Sequence, residues 1–491
     1  MNKWVEKFET DEMEGGKKMR KMRKIIACLL CIFLFMEIAM SQVSGIEKEE
    51  TRINYEVTEK DGMIVNPHKG WITYPCYAPE YDGTQYGFKK AKTWSFSGTA
   101  YERFYWSDIQ VNSKKYNFEC IDNSIRECRK YGKTFAFGVI PSNSSHENKK
   151  GFVPEYVYKM GCKYVLADVS ECYEDGKKHV QRTPVWSDSI YLKEMKKLIY
   201  QLAKRYDGNK TIEYIDLRSF GNWGEWHTYY LEGSKMPSKK VQKKCLDWWS
   251  DAFKMTRLVL PVNGSEPDEI SKYAVSKGIT LRRDGLITLE NDHRAVQIAA
   301  KKDLPTVGEF CLPYEDLKQC GDWKDELLIR CVEEGKFTYL SLGQSVFDGI
   351  KFYKEKKDLI EKVQNLLGYH LVVKEACLKQ EQGGFLLELQ IENKGVAIPD
   401  FPIYLSAYRL EEDGKIGEKL ATTKESISKK VRSKETTTIT LEWKNKDQME
   451  QYQEIAFGLF EQKDAKKPTV FLANNENEKD GYMRVKKYTK R

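Results

Sequence analysis

Several features are missing from this 491-residue chain, and each absence closes a class. The ten cysteines after residue 41 form no C-x-x-C pair and are scattered from Cys76 to Cys377, which does not read as a disulfide scaffold or a zinc knuckle. The six histidines are equally scattered and form no H-x-x-x-H pair, so no metal site is expected. Glycine (33) and proline (14) are modest and without period, which removes collagen-like and low-complexity architectures. Mean hydropathy is −0.63 with 31% charged residues, which excludes a multi-span membrane protein. The net charge of +8 is spread along the chain instead of gathered in a basic stripe, so no nucleic-acid partner is expected.

What is present begins with an address. Lys17, Lys18, Arg20, Lys21, Arg23 and Lys24 form a basic run, followed by the uncharged stretch Ile25–Met36 and then Ala39-Met40-Ser41. A basic region, a short apolar region and small residues in that order read as a secretory signal. The apolar run is shorter than the roughly 20 residues a span requires, and Glu37 ends it. Residues 1–45 are therefore read as a signal with an N-terminal extension. No stable membrane span is expected after cleavage, and the mature chain is placed outside the cell or on its surface. A retained anchor is the alternative.

From about residue 64, short apolar runs alternate with stretches of helical period. Strands are expected at Gly70–Tyr74, Gly98–Trp106, Thr134–Ile140, Ile212–Leu217, Leu258–Val262, Ile279–Leu281, Thr306–Phe310 and Phe337–Leu342. Leu192, Met195, Leu198, Ile199 and Leu202 repeat at helical spacing within a helix that starts near Ser189, and further helices fall between most of the strands. Eight β/α units over about 300 residues are the size of a TIM barrel. After residue 367 the helical period fades. Phe385–Ile391, Tyr404–Tyr408, Thr436–Trp443 and Ile455–Phe460 have strand character, suggesting a β-sandwich. The expected architecture is α/β: a (β/α)8 barrel over 46–367 and a C-terminal β-sandwich over 368–491.

Barrel enzymes carry their chemistry where strands end. Two carboxylates stand out there. Glu225 follows the fourth strand, framed by Trp223 and Trp226. Indole walls disfavour an ionised carboxylate, and a raised pKa suits a general acid. Glu309 ends the seventh strand in Leu304-Pro-Thr-Val-Gly-Glu309-Phe310, aimed into the barrel mouth. Two carboxylates across a barrel mouth are the minimum set for glycoside hydrolysis.

The placement of Glu225 and Glu309 resembles the clan A glycoside hydrolases, which are retaining (β/α)8 enzymes. Arg103-Phe-Tyr-Trp106-Ser-Asp-Ile-Gln, Tyr116-Asn-Phe118, Ile121-Asp122 and Gly132-Lys133 resemble the second β/α unit of β-galactosidase-like members. Asn66-Pro67-His-Lys-Gly70-Trp71, Gly224-Glu225-Trp226-His227, Arg283-Asp284 and the trailing sandwich are similar to a secreted bacterial family of unknown function. The resemblance implies that Glu225 is acid/base, Glu309 nucleophile and Arg103 the arginine that hydrogen-bonds the nucleophile. The clan's Asn before the acid/base is Gly224 here, and the nearest Asn, Asn222, is the candidate for the sugar 2-hydroxyl.

Trp71, Trp106 and Trp223 are candidate sugar platforms, with Trp226 beside them. His227 is placed to orient Glu225 or bind a hydroxyl, and Arg283 and Asp284 to bind polar groups of a substrate. The reading is a carbohydrate-active enzyme that hydrolyses glycosidic bonds with two glutamates, with a carbohydrate as partner and without cofactor or metal. The alternative is a non-catalytic glycan-binding or cell-surface protein on a glycosidase-like scaffold.

Overall fold

The computed structural model describes residues 52–489, except 75–94, 149, 288–291, 345, 382 and 445–446. The signal segment lies outside the described residues. In chain order the strands are β1 (Arg52–Tyr55), β2 (Gly70–Thr73), β3 (Thr99–Tyr105), β4 (Thr134–Ile140), β5 (Tyr164–Asp168), β6 (Val180–Pro184), β7 (Ile212–Asp216), β8 (Leu258–Val262), β9 (Thr280–Leu286), β10 (Thr306–Phe310) and β11 (Phe337–Ser341). Then come β12 (Leu371–Glu381), β13 (Gly384–Asn393), β14 (Tyr404–Leu410), β15 (Ile416–Thr422), β16 (Thr436–Trp443), β17 (Glu454–Phe460) and β18 (Met483–Lys486).

Strands β2, β3, β4, β7, β8, β9, β10 and β11 close into a parallel barrel. Their near-continuous apolar runs follow from burial on both faces, by the barrel interior and by the helices outside. Helices such as Glu119–Lys130, Ser189–Tyr206, Lys239–Ala252 and Asp325–Gly335 supply the outer layer. Between β9 and β10 the described residues form only a short 3-10 turn, Arg294–Val296, and one helical turn, Gln297–Ala300.

Inside the barrel, Ile72, Tyr101, Ala136, Tyr214, Val259, Val307 and Tyr339 form one buried apolar layer drawn from seven strands. The strand β9 contributes Arg282, whose guanidinium lies 4.6 Å from the Tyr101 ring centre. Strand side chains alternate between faces, so the residues two positions later point into the same lumen, one layer nearer the mouth. Those residues include Arg103, Gly138, Asp216 and Glu309, and Asp284 pairs in register with Glu309. The change from apolar to charged between two successive layers positions the site.

The C-terminal part consists of two four-stranded antiparallel sheets, ordered β1-β12-β13-β16 and β15-β14-β17-β18. Leu387, Leu389 and Ile439 of the first sheet share one buried core with Leu405, Phe457 and Leu459 of the second. One boundary differs from the sequence reading, which ran the barrel from residue 46. The strand β1 pairs antiparallel with β12 and buries Ile53 and Tyr55 in the sandwich core. The short alternating run Arg-Ile-Asn-Tyr has one apolar face, and the open edge of β12 covers it.

Asn66–Trp71 joins the two parts. The Asn66 amide donates to the Phe471 carbonyl (2.8 Å) and accepts from its N–H (2.7 Å). His68 lies between Glu213 of the barrel (2.9 Å) and Glu461 of the second domain (3.3 Å). Arg257 pairs with both Glu213 (2.9 Å) and Asp400.

Candidate active site

A cavity of about 1790 Å³ opens at the C-terminal ends of the barrel strands. Arg103, Trp223, Glu225, His227, Asp284 and Glu309 are among the residues lining it. On its floor, one guanidinium links three carboxylates: Arg103 contacts Glu225 (3.2 Å), Glu309 (3.1 Å) and Asp284 (3.5 Å). Its Nε also donates to the Tyr101 hydroxyl (3.2 Å), which in turn donates to Asp216 (2.6 Å).

Two further arginines support this floor from below. Arg218 contacts Asp216 (2.8 Å), Glu225 (2.7 Å) and Asp284 (3.2 Å). Arg282 donates to Asp284 (2.5 Å) and pairs with Glu309. The side chains of Arg218 and Arg282 have no exposed surface, whereas Glu225, Asp284 and Glu309 keep 12%, 11% and 6%. The carboxylates therefore face the cavity and the two arginines hold them from behind. Buried charges in such numbers are tolerable only when each is paired with an opposite charge. Gly138 makes the space: a Cβ there would lie 2.5 Å from Arg218 Cγ.

Glu225 sits on a tight loop. Gly221 has φ 80° and Gly224 has φ 69°, values that favour glycine. A Cβ on Gly224 would lie 2.5 Å from Arg218 Cβ and 2.7 Å from its carbonyl oxygen. Any side chain at this position, asparagine included, would collide with Arg218. Backbone bonds from Glu225 N–H to the Asn222 carbonyl (2.8 Å) and from Asn222 N–H to the His227 carbonyl (2.8 Å) close the loop. Trp223, Trp226 and Tyr230 also adopt positive φ, of 50°, 63° and 59°. Bulky residues rarely do so, and such outliers cluster at functional sites.

The structure departs from the expected acid chemistry of Glu225. Burial raises its pKa, but Arg218, Arg103 and the His227 hydrogen bond outweigh burial and hold the carboxyl well below its usual range. The sequence reading weighed only the indoles. Trp226 is buried, donates to the Leu217 carbonyl (2.6 Å) and packs edge-on against Phe220 within the core. His227 Nδ1 accepts from the Tyr229 N–H (3.2 Å), which leaves the ring proton on Nε2, facing Glu225 (3.2 Å).

Other predicted residues divide sharply. Trp223 is half-buried at the cavity wall, its N–H on Asn143 (3.0 Å), and Tyr230 lies edge-on to it (5.9 Å). Tyr229 (66% exposed) and Tyr230 (48% exposed) extend this aromatic rim, and the sequence reading missed both. Trp71 and Trp106 are wholly buried and cannot be sugar platforms. Trp71 donates to the Ile360 carbonyl (2.9 Å) and Trp106 to Gln110 (2.7 Å). Asn222 is buried too, its amide spent on Ser144 and the Tyr229 carbonyl, so it fixes the loop instead of meeting a sugar hydroxyl. Arg283 alternates away from Arg282 and Asp284 and ties Asp292 (2.9 Å) to the Asn263 carbonyl (3.1 Å).

Asp216, Arg218 and Arg282 also escaped the sequence reading. Counting in twos from the apolar layer finds Asp216; Arg282 stands two before Asp284. Among the described residues no group of three or more His, Cys, Asp or Glu side chains could hold a metal ion.

No family model matches the sequence, and no curated protein matches it. Solved structures do. The catalytic domain of a beta-amylase from Paenibacillus polymyxa is 10% identical, with a TM-score of 0.39 over 60% of this chain and 98% of that one. Xylanase 10B from Thermotoga petrophila RKU-1, in complex with xylobiose, is 12% identical, with a TM-score of 0.34 over 56% of this chain and 81% of that one. Likeness at this level assigns no activity, so the functional reading rests on the site.

Proposed function

We propose that this chain is a secreted carbohydrate-active enzyme that hydrolyses glycosidic bonds with Glu225 and Glu309. The observation that carries the reading is Arg103, whose guanidinium touches both carboxylates on the floor of the open cavity. In the retaining scheme, the Glu309 carboxylate attacks the anomeric carbon while the Glu225 proton passes to the leaving oxygen. Water then adds to that carbon, giving its proton to Glu225 and releasing Glu309. Arg103 and Arg282 both contact the Glu309 carboxylate and hold it in place. Trp223, Tyr229 and Tyr230 offer ring faces for a sugar. The basic and apolar run before residue 41 supports export.

The acid step makes a specific demand. Arg218 and Arg103 hold Glu225 ionised. A bound glycan must draw Glu225 away from both arginines before burial can raise its proton affinity. The same observation favours a second reading, a glycan-binding protein that never acquires the proton. Incubation of the full chain with a panel of neutral and charged glycans, read by released reducing ends and by NMR of the first-formed anomer, tests the proposal. Reducing ends with retained configuration support it; binding with no cleavage favours the second reading.

A further inference from the structure

A second groove, of about 550 Å³, lies on the flank of the barrel, lined by Lys114, Tyr116, Lys193, Lys196, Lys197 and Tyr200. The helix Ser189–Tyr206 builds most of it. Met195, Leu198, Ile199 and Leu202 face the core, so residues 193, 196, 197 and 200, at i, i+3, i+4 and i+7, share the outer face. Lys114 and Tyr116 come from the loop before the helix Glu119–Lys130. That loop is pinned: Asn112 accepts the Lys114 N–H (2.9 Å), Gln110 donates to the Tyr116 hydroxyl (3.0 Å), and Tyr116 stacks on Phe118.

The groove holds positive charge without compensation. Glu194 beneath it is fully buried and already occupied by Lys197 (2.6 Å) and the Tyr156 hydroxyl (2.9 Å). Lys114, Lys193 and Lys196 form no ion pair with any described residue. Lys196 lies over the rings of Tyr200 (5.5 Å) and Trp248 (5.6 Å), and Lys244 of the neighbouring helix also lies over Trp248 (5.8 Å). Cations and ring faces therefore alternate along the surface.

One loop separates this groove from the main cavity. Val111 and Asn117 line the cavity, and Ser113, Lys114 and Tyr116 line the groove. On the cavity side Asp108 is paired with Lys150 (3.9 Å) and Glu155 with Arg182, so the unpaired cations lie on the groove side of the loop and draw an anionic ligand there. A recessed channel with ring faces suits a sugar chain; a flat bilayer would leave Tyr116 without contact.

We propose that this groove binds an anionic polysaccharide, its carboxylate, sulfate or phosphate groups meeting Lys114, Lys193 and Lys196. The proposal stands apart from hydrolysis in the cavity. Titration calorimetry of the full chain with polygalacturonate, dextran sulfate and uncharged dextran tests it, alongside the triple variant K114A/K193A/K196A and E225Q. The expected result is binding to charged polymer but not to dextran. It should weaken as salt rises, drop at least about tenfold in the triple variant and persist in E225Q. Binding of only one charged polymer supports the proposal and names the charged group. Equal binding of dextran, an unchanged triple variant, or preference for anionic phosphatidylglycerol vesicles over both charged polymers would overturn it. Lys196 lies over Trp248 of the core, so thermal melts accompany the titrations, and the double variant K114A/K193A, which spares that contact, should also weaken binding. Loss of turnover in E225Q with polymer binding intact separates this site from the catalytic reading.

Discussion

Gly224 and Arg218 leave each other no spare room: a Cβ on residue 224 would lie 2.5 Å from Arg218 Cβ. Arg218 in turn holds Glu225 and Asp284. Placing an asparagine at residue 224 therefore damages this site. We predict that Gly224→Asn destabilises the protein by about 1–3 kcal/mol, from positive φ and overpacking together, and lowers hydrolysis. Urea unfolding and turnover check both; an activity gain would contradict the steric account.

Arg103→Lys keeps the charge and loses the fork. A single ammonium cannot reproduce contacts to Glu225, Glu309 and the Tyr101 hydroxyl together. We expect kcat/KM to fall about 100-fold, the scale of losing one preorganised donor. In Arg103→Gln the charge is gone, and because Arg103 helps lower the pKa of Glu225, that pKa should rise. A pH profile whose alkaline limb stays in place would contradict this.

The joint between the domains carries a pH signature. Burial lowers the His68 pKa, but Glu213 and Glu461 outweigh burial and push it up to about 10. Its stabilisation is therefore fully present below the ordinary value of 6.5 and is lost as pH rises through about 10. Glu213 has the opposite sign. Burial raises its pKa, while His68 and Arg257 hold it well below the ordinary 4.5, so its contribution is present above that value and fades in acid. Denaturant melts of wild type and His68→Gln from pH 6 to 11 should show a stability gap that closes near the alkaline end. A gap that stays constant would remove His68 from the linkage.

The tryptophans should separate by role. Trp223→Ala is predicted to raise KM about threefold to tenfold, matching the loss of roughly 1 kcal/mol of ring contact. Trp71→Phe should leave KM alone and lower stability by about 1 kcal/mol, because the Ile360 carbonyl loses its donor. Kinetics beside thermal melts distinguish the two patterns.

Seven of the barrel strands were legible over most of their length because burial on both faces leaves apolar runs; β9 was read only as far as Leu281, since Arg282, Arg283 and Asp284 break its run. The hairpin β5–β6 was not: β6 reads Val-Gln-Arg-Thr-Pro and has no apolar face, although its partner β5 begins with the apolar run Tyr164-Val-Leu-Ala167. The strand β1 was hidden because its partner β12 lies more than 300 residues away. In the site, Arg103 was singled out only through the resemblance, while Glu225, Asp284 and Glu309 were readable from their places after strands. The direction of the Glu225 pKa was not, since it depends on Arg218, which returns through a loop. Trp71 and Trp106 were misread because an indole near a strand end turns inward or outward according to strand phase, which residue type does not reveal.

The most direct measurement compares wild type, Glu225→Gln and Glu309→Gln on one cleaved glycan, with binding and melting followed on the same samples. Glutamine keeps the shape and removes the proton transfer and the nucleophile. The account predicts turnover in the wild type and a fall of at least about 1000-fold in each variant, with binding retained. Turnover that survives either substitution would contradict it.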